Sequence, residues 1–278
     1  MKQVISLVLF GLFCGSAVLT DASDQNKPDG ASQSGRIVNG KAVSIVKYKY
    51  ALSLRVNGVF DCGATIITNS HSLTAAHCVY KYPSDPSRVT LYGGSTSTSS
   101  GGIEVPVVSI ALHPNYNRKA FPAASDCDVA VLNVPVNSFS GRPNMAPLAL
   151  QTNELPVGTE CFVIGWGRTG NNQPASVNQL RYANMNIVSQ STCATMWAEY
   201  RKLCGTCKQS ITSNMICAKY NNGVDTCGGD SGGALVCGSG LAGVVSFSHP
   251  NCTSAWPAGF AKITAPSIRS FIRQYAEI

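Results

Sequence analysis

The chain has 278 residues, 13% of them charged, and a formal net charge of +7 at pH 7. That charged fraction is about half the ~25% of an ordinary soluble domain, and Ser, Thr, Asn and Gly supply most of the polarity instead. The positive balance is spread thinly, and no run of Lys or Arg could track a phosphate backbone, which argues against a nucleic-acid partner.

Lys2 opens a short basic start, residues 4–19 are mostly apolar, and small residues follow at Gly15, Ser16, Ala17 and Ala22. A span would need roughly 20 apolar residues, and Asp21 and Asp24 interrupt too soon. Residues 1–22 therefore read as a secretory signal peptide, its end between 17 and 22, rather than as an anchor. The expectation is a secreted protein without membrane contact. Residues 23–36 (SDQNKPDGASQSGR) hold no large apolar side chain and read as a flexible tail. Arg36 closes that tail. The stretch Ile37-Val38-Asn39-Gly40 is either a linker with a turn or the far side of a cut that makes Ile37 a new amino terminus. The second choice leaves residues 37–278 as the working domain, ample for one sizeable core or two packed halves.

Beyond it, short apolar runs alternate with turn residues: YALSLRV (50–56), GATIIT (63–68), RVTLYGG (88–94), VPVVSIAL (105–112), DVAVLNV (128–134), TECFVIGWG (159–167) and GLAGVVSFS (240–248). Strands this short at this spacing predict an all-β barrel or sandwich. Two helices are expected. One covers about 191–202 with Met196, Trp197 and Tyr200. The other is C-terminal: Pro266-Ser267 caps a run with Ile268, Phe271, Ile272 and Tyr275 at helical spacing.

Twelve cysteines fit an oxidising compartment. Cys14 falls in the signal, so eleven remain and at least one lacks an intramolecular partner. The tight pair Cys204-Gly-Thr-Cys207 has no second pair and no His-x₃-His beside it, which speaks against zinc.

The stretch TCGGDSGGAL (226–235) carries the clearest chemistry. A reactive serine needs an exposed Oγ on a tight turn, and flanking glycines let the backbone bend there. The N–H groups of Gly229 and Ser231 could then hold the oxyanion formed when Ser231 attacks a carbonyl. Serine needs a base, and His77 in LTAAHC (73–78) supplies one at a strand end; His71, His113 and His249 lack that context. Asp128, in DCDVAVLNV, sits in an apolar run where an unpaired carboxylate would be costly. Asp126 is its rival and should be more exposed.

From residue 37 to the final helix the chain resembles the chymotrypsin/trypsin family of serine proteases. RIVNG, TAAHC, DVAVL, GWG (165–167), GGDSGGAL and VVSF stand in the family's order. The resemblance implies two antiparallel six-stranded β-barrels with a C-terminal helix, and a site in the cleft between them. It makes His77 the general base and acid, Asp128 its orienter and Ser231 the nucleophile. Ser246 matches the family's serine beside the buried aspartate. Cutting after Arg36 would let the amine of Ile37 pair with Asp230 and so form the oxyanion turn: the tail becomes an activation propeptide and the chain a zymogen. Removing one partner of such a buried pair costs about 3–5 kcal/mol. The activator would be another trypsin-like protease or the enzyme itself.

By the same resemblance Asp225, six before the nucleophile, lies at the base of the primary pocket and favours Arg or Lys. The walls depart from the trypsin pattern. Ser248 and Ala258 stand where trypsins keep glycine, with Gly259 the alternative to Ala258 if the register shifts by one, and Phe247 replaces a tryptophan. A chymotrypsin- or elastase-like specificity is the runner-up. A silent homologue acting as a binding partner is disfavoured, because all three catalytic side chains are present. Four disulfides are implied: Cys62–Cys78, Cys161–Cys237, Cys193–Cys217 and Cys227–Cys252. Cys127, Cys204 and Cys207 fall outside that set, and a bridge from Cys127 to Cys204 or Cys207 is expected. No cofactor or metal is expected, since the loop that binds calcium in trypsins (93–104 here) offers Glu104 as its only carboxylate. Asn251-Cys-Thr253 is a glycosylation sequon by pattern. Protein or peptide substrates, proteinaceous inhibitors and a monomeric state complete the expectation.

Overall fold

The computed structural model describes residues 40–117, 119, 125–168, 179–207, 209–220 and 226–278. The expected signal peptide and propeptide, with Arg36 and Ile37, lie outside these residues, as does Asp225. Among the described residues no helix is long and apolar enough to cross a membrane.

After the two-residue β1 (Lys41–Ala42), the first half of the chain supplies β2 (Ala51–Val56), β3 (Val59–Ile66), β4 (His71–Thr74), the short helix α1 (Ala76–Val79), β5 (Val89–Gly93), β6 (Ile103–Pro106), β7 (Ser109–Leu112) and β8 (Ala130–Asn133). They pair antiparallel in the order β6-β5-β2-β3-β4-β8-β7. The apolar run 105–112 is two strands rather than one. The Val107 N–H still bonds the Val89 carbonyl of β5, while the Val108 N–H bonds Asn133 of β8. A bend of two residues thus joins opposite ends of the sheet and curls it on itself, so β6 and β7 act as one bent strand and six strands go round.

The second half forms β9 (Glu160–Gly165), β10 (Arg181–Val188), helix α2 (Gln190–Cys204), β11 (Met215–Lys219), β12 (Ala234–Cys237), β13 (Gly240–Phe247), β14 (Ala258–Lys262) and helix α3 (Pro266–Ala276). Its order is β1-β10-β11-β14-β13-β12-β9, and β9 also pairs with β10. That extra pairing closes β9 to β14 into a ring, which removes the open edges. β10 escaped the sequence pattern because Ala183, Met185 and Ile187, which face inward, are interleaved with Tyr182, Asn184 and Asn186. In α3, Pro266 takes the first helical position and Ala265 the cap, with Ile268, Phe271 and Ile272 buried and Tyr275 left on the rim.

Disulfides join Cys62 to Cys78, Cys161 to Cys237, Cys193 to Cys217 and Cys227 to Cys252. A fifth corrects the expected cross-link: Cys204 pairs with Cys207, and Cys127 is a buried free thiol. Gly205, at φ 71, turns the chain at the end of α2 and returns the second sulfur to the first.

Candidate active site

β4 runs through Ala75 into α1, which carries His77. The His77 backbone N–H donates to Asp128 Oδ1 at 2.9 Å, and its Nδ1 lies 2.7 Å from Oδ2. Ser246 Oγ, near the end of β13, donates to the same Oδ2 at 2.6 Å. Asp128 is fully buried, and these three donors offset the cost of placing a carboxylate there. Since a carboxylate only accepts, Nδ1 carries the imidazole proton and Nε2 is the basic nitrogen. Cys127, at φ 53, makes the sharp reversal before β8 that aims Asp128 inward, its carbonyl taking the Val129 N–H at 2.8 Å.

The rival Asp126 is half-buried and accepts instead from Thr212 Oγ1 at 2.6 Å and Asn214 Nδ2 at 3.2 Å. The other histidines are structural: His71 bonds Thr68, His113 packs on Phe271, and His249 stacks on Trp256.

Ser231 sits on a chain of tight turns. The Asp230 N–H bonds Cys227 at 3.0 Å, the Gly233 N–H bonds Asp230 at 3.0 Å, and the Gly232 N–H bonds Val245 at 2.8 Å. Gly229 and Gly232 adopt φ 99 and φ 80, which a side chain would resist. A Cβ on Gly232 would also collide with Thr74 Oγ1 and the Gly63 carbonyl. The Ser231 carbonyl accepts the Gly63 N–H at 2.8 Å. Gly63 adjoins Cys62, whose disulfide to Cys78 ends beside His77. The turn is therefore docked against β3 and the Thr74-Ala75 lead into His77, and held to Val245 next to Ser246. Residues scattered over the sequence converge where the two sheets meet. Among the described residues the N–H groups of Gly229 and Ser231 donate to no acceptor.

Asp230 points the other way. Its Oδ1 takes the Gly167 N–H at 2.8 Å and its Oδ2 the Cys227 N–H at 3.1 Å. Burial pushes its pKa up to about 7, against the pull of those two bonds. No cationic side chain among the described residues pairs with it.

The family model described as Trypsin matches residues 37–272. The chain belongs to the trypsin family. It is 34% identical to Trypsin beta of Drosophila erecta over 86% of this chain and 87% of the relative, and 34% identical to Trypsin alpha of Drosophila melanogaster over 86% of both. Trypsin alpha-4 of Lucilia cuprina is 32% identical over 95% of both chains. Among solved structures it resembles neuropsin, a serine protease expressed in the limbic system of mouse brain, with a TM-score of 0.72 at 27% identity over 85% of this chain and 98% of that one. It is thus a trypsin-family serine endopeptidase, and its substrates are proteins.

The residues expected at the primary pocket lie where β13 and β14 pair. Phe247 pairs with Gly259 across β13 and β14, and a Cβ on Gly259 would collide with the Phe247 ring. Directly paired residues share a face, so Ser248 and Ala258, one step along, share the opposite face. Ser248 Oγ donates to the Thr226 carbonyl at 3.1 Å, and Ala258 is fully buried. Thr226, which sequence reasoning passed over, has a buried hydroxyl with no partner among the described residues.

Helix α2 packs against this segment. Trp197 donates its Nε1–H to the Pro257 carbonyl at 3.0 Å and meets Phe247 edge-on at 5.2 Å. Tyr200 meets His249 at 4.8 Å and Trp256 at 5.3 Å. The i, i+3 aromatic pair was visible in the sequence; its partners were not.

No cofactor is implied. Cys62 and Cys78 approach His77 closely enough for a metal, but a disulfide has no thiolate to offer. In the loop at 93–104, Glu104 pairs with Arg55 at 2.8 Å, so a guanidinium already serves the one carboxylate.

Proposed function

We propose that the enzyme cleaves peptide bonds through Ser231, His77 and Asp128. The Ser231 Oγ bonds to the scissile carbonyl carbon as its proton passes to His77 Nε2, and the oxyanion is held by the Gly229 and Ser231 N–H groups. His77 returns the proton to the departing amine, leaving an ester on Ser231. Water then repeats the sequence and frees the acid. The buried Asp128, shared between His77 Nδ1 and Ser246 Oγ, is the observation that carries this reading.

The chain is a secreted zymogen on this reading. Cleavage after Arg36 delivers the Ile37 amine to Asp230, whose burial without a cation among the described residues supports the pairing. Asp225, six residues before Ser231 and so expected at the pocket base, favours Arg or Lys. A second reading rests on side chains standing at Ser248 and Ala258, where glycine would leave the pocket wider: a chymotrypsin- or elastase-like preference for apolar side chains.

The test is hydrolysis of peptides ending in Arg, Lys, Phe, Leu or Ala after cleavage at Arg36–Ile37, with the Ser231→Ala protein as blank. Cleavage after Arg or Lys, absent in the blank and the uncut chain, is the expected result. Activity only after apolar residues would keep the mechanism and remove the Arg/Lys assignment. Silence on every peptide with Ile37 verified as the terminus would end the proposal.

A further inference from the structure

We propose that Arg168 selects a carboxylate on the leaving-group side of the substrate, so that the enzyme prefers chains with Asp or Glu within two residues past the scissile bond. The inference rests on Ser231 as nucleophile. Arg168 follows the Gly165-Trp166-Gly167 run off the end of β9, and its N–H donates to the Gly228 carbonyl at 2.7 Å. A Cβ on Gly228 would stand 3.6 Å from Arg168 Cδ and 3.7 Å from Nε. The arginine side chain therefore lies within van der Waals reach of Gly228, one residue before Gly229 and three before Ser231. Both residues are exposed.

The charge is not spent locally. No carboxylate among the described residues pairs with Arg168, and the sequence that follows it, TGNNQPASVN (169–178), contains no acid. An unneutralised guanidinium at the lip of a cleft raises the local preference for negative substrate groups and repels positive ones.

Its flank is the leaving-group side. On the proposed reading the acyl half of a bound chain is held at Ser246, Ser248 and Ala258. On the opposite flank, the Cβ position of Gly229 meets Gly167 Cα at 3.1 Å and Phe60 Cε1 at 3.2 Å. Phe60 is on β3, two residues before Cys62, which is bridged to the neighbour of His77. The departing amine must reach His77 for its proton. Residues past the cut therefore pass over Phe60 and Gly167 and within reach of Arg168.

One consequence concerns activation. The leaving side of the chain's own cut reads Ile37-Val38-Asn39-Gly40-Lys41, with no carboxylate and a lysine at its end. With neutral Ile37 and Val38 in the first two places, the chain's own cut lacks the favoured group, so self-activation gains nothing from Arg168.

The experiment uses the activated chain and matched peptides that differ only in the first or second residue after the cut, carrying Glu, Gln or Lys. The ratio of kcat/KM values is read within one preparation, so the active fraction cancels. At low salt Glu is expected to exceed Gln by about threefold to fivefold, the range of an exposed ion pair. The ratio should fall toward one as salt screens the pair. Arg168→Glu should invert the order so that Lys leads, while Arg168→Lys keeps it. Equal rates for the three peptides in the unmodified enzyme, or an order unchanged by Arg168→Glu, overturn the proposal and leave the Ser231 mechanism standing. If no peptide is cleaved, that mechanism fails and this inference falls with it.

Discussion

Ser246 Oγ donates a 2.6 Å hydrogen bond to Asp128 Oδ2, the oxygen that also faces His77. Ser246 lies in β13 of one sheet and Asp128 leads into β8 of the other, so this bond ties the orientation of the imidazole to the second half of the chain. A hydrogen bond to a charged group contributes about 1.5–3 kcal/mol, part of which Ser246→Ala should pass on to the transition state. The expected result is kcat about tenfold lower with KM little changed. Asp128→Asn should be far worse, about 10⁴-fold in kcat with the fold intact, because an amide N–H facing Nδ1 forces the wrong imidazole tautomer. Steady-state kinetics beside circular dichroism separates the two effects; an Asp128→Asn enzyme within tenfold of the parent would remove Asp128 from its role.

Asp230 predicts a pH-dependent stability gap between uncut and cut chains. In the uncut fold burial holds this carboxyl near 7, against an ordinary value of 3.8. The folded state then binds more protons than the unfolded one between those values, so stability falls as pH rises through that window. Cutting brings the Ile37 amine, whose ordinary pKa is about 8, and the pair is charged at neutral pH. Using Ser231→Ala protein to prevent self-digestion, Tm of the cut form should gain roughly 5 °C on the uncut form between pH 5 and pH 7.5. The gain should shrink again as the amine loses its proton. A gap indifferent to pH would argue that Ile37 does not reach Asp230.

Tyr200 contacts no expected catalytic residue, yet its edge-on contacts with His249 and Trp256 steady the segment that follows the pocket wall. Aromatic pairs of this kind contribute about 0.5–1.5 kcal/mol each. Tyr200→Ala should raise KM about fivefold for peptides filling the primary pocket while leaving kcat within about twofold. Tyr200→Phe, which keeps the ring, should restore KM. A loss confined to kcat would contradict a brace on the wall.

Cys127 is buried beside Asn214 and Asp126, and burial pushes its thiol up to about 11. A thiolate, not a thiol, is the nucleophile. Iodoacetamide should therefore leave the folded, cut enzyme unlabelled and add one label after denaturation without reductant. Non-reducing peptide maps should find Cys204 joined to Cys207; a Cys127 bridge in those maps would contradict the fold described above.

Much of the site was legible along the chain because its chemistry is local. The glycines around Ser231 announce a turn whatever lies nearby, and an aspartate in an apolar run such as 128–134 must find partners. Alternating runs such as 50–56 likewise declare strands, since a pleat exposes every second side chain to one face. What remained hidden depends on residues brought together from far apart. The run 105–112 reads as one strand, and only the change of partner from Val89 to Asn133 splits it. β10 hides because Asn184 and Asn186 dilute its apolar side chains, so that only the buried alternation of Ala183, Met185 and Ile187 marks it as a strand. Cys204 and Cys207 looked available to Cys127 until α2 ended at Gly205 and closed the short loop. Arg168 is one unremarkable cation among the 21 Lys and Arg of the chain until Gly228 is laid beneath it. Hydrogen bonding and turn chemistry act over a few residues and leave their mark in sequence; the aim of a side chain across a cleft is set by two sheets at once.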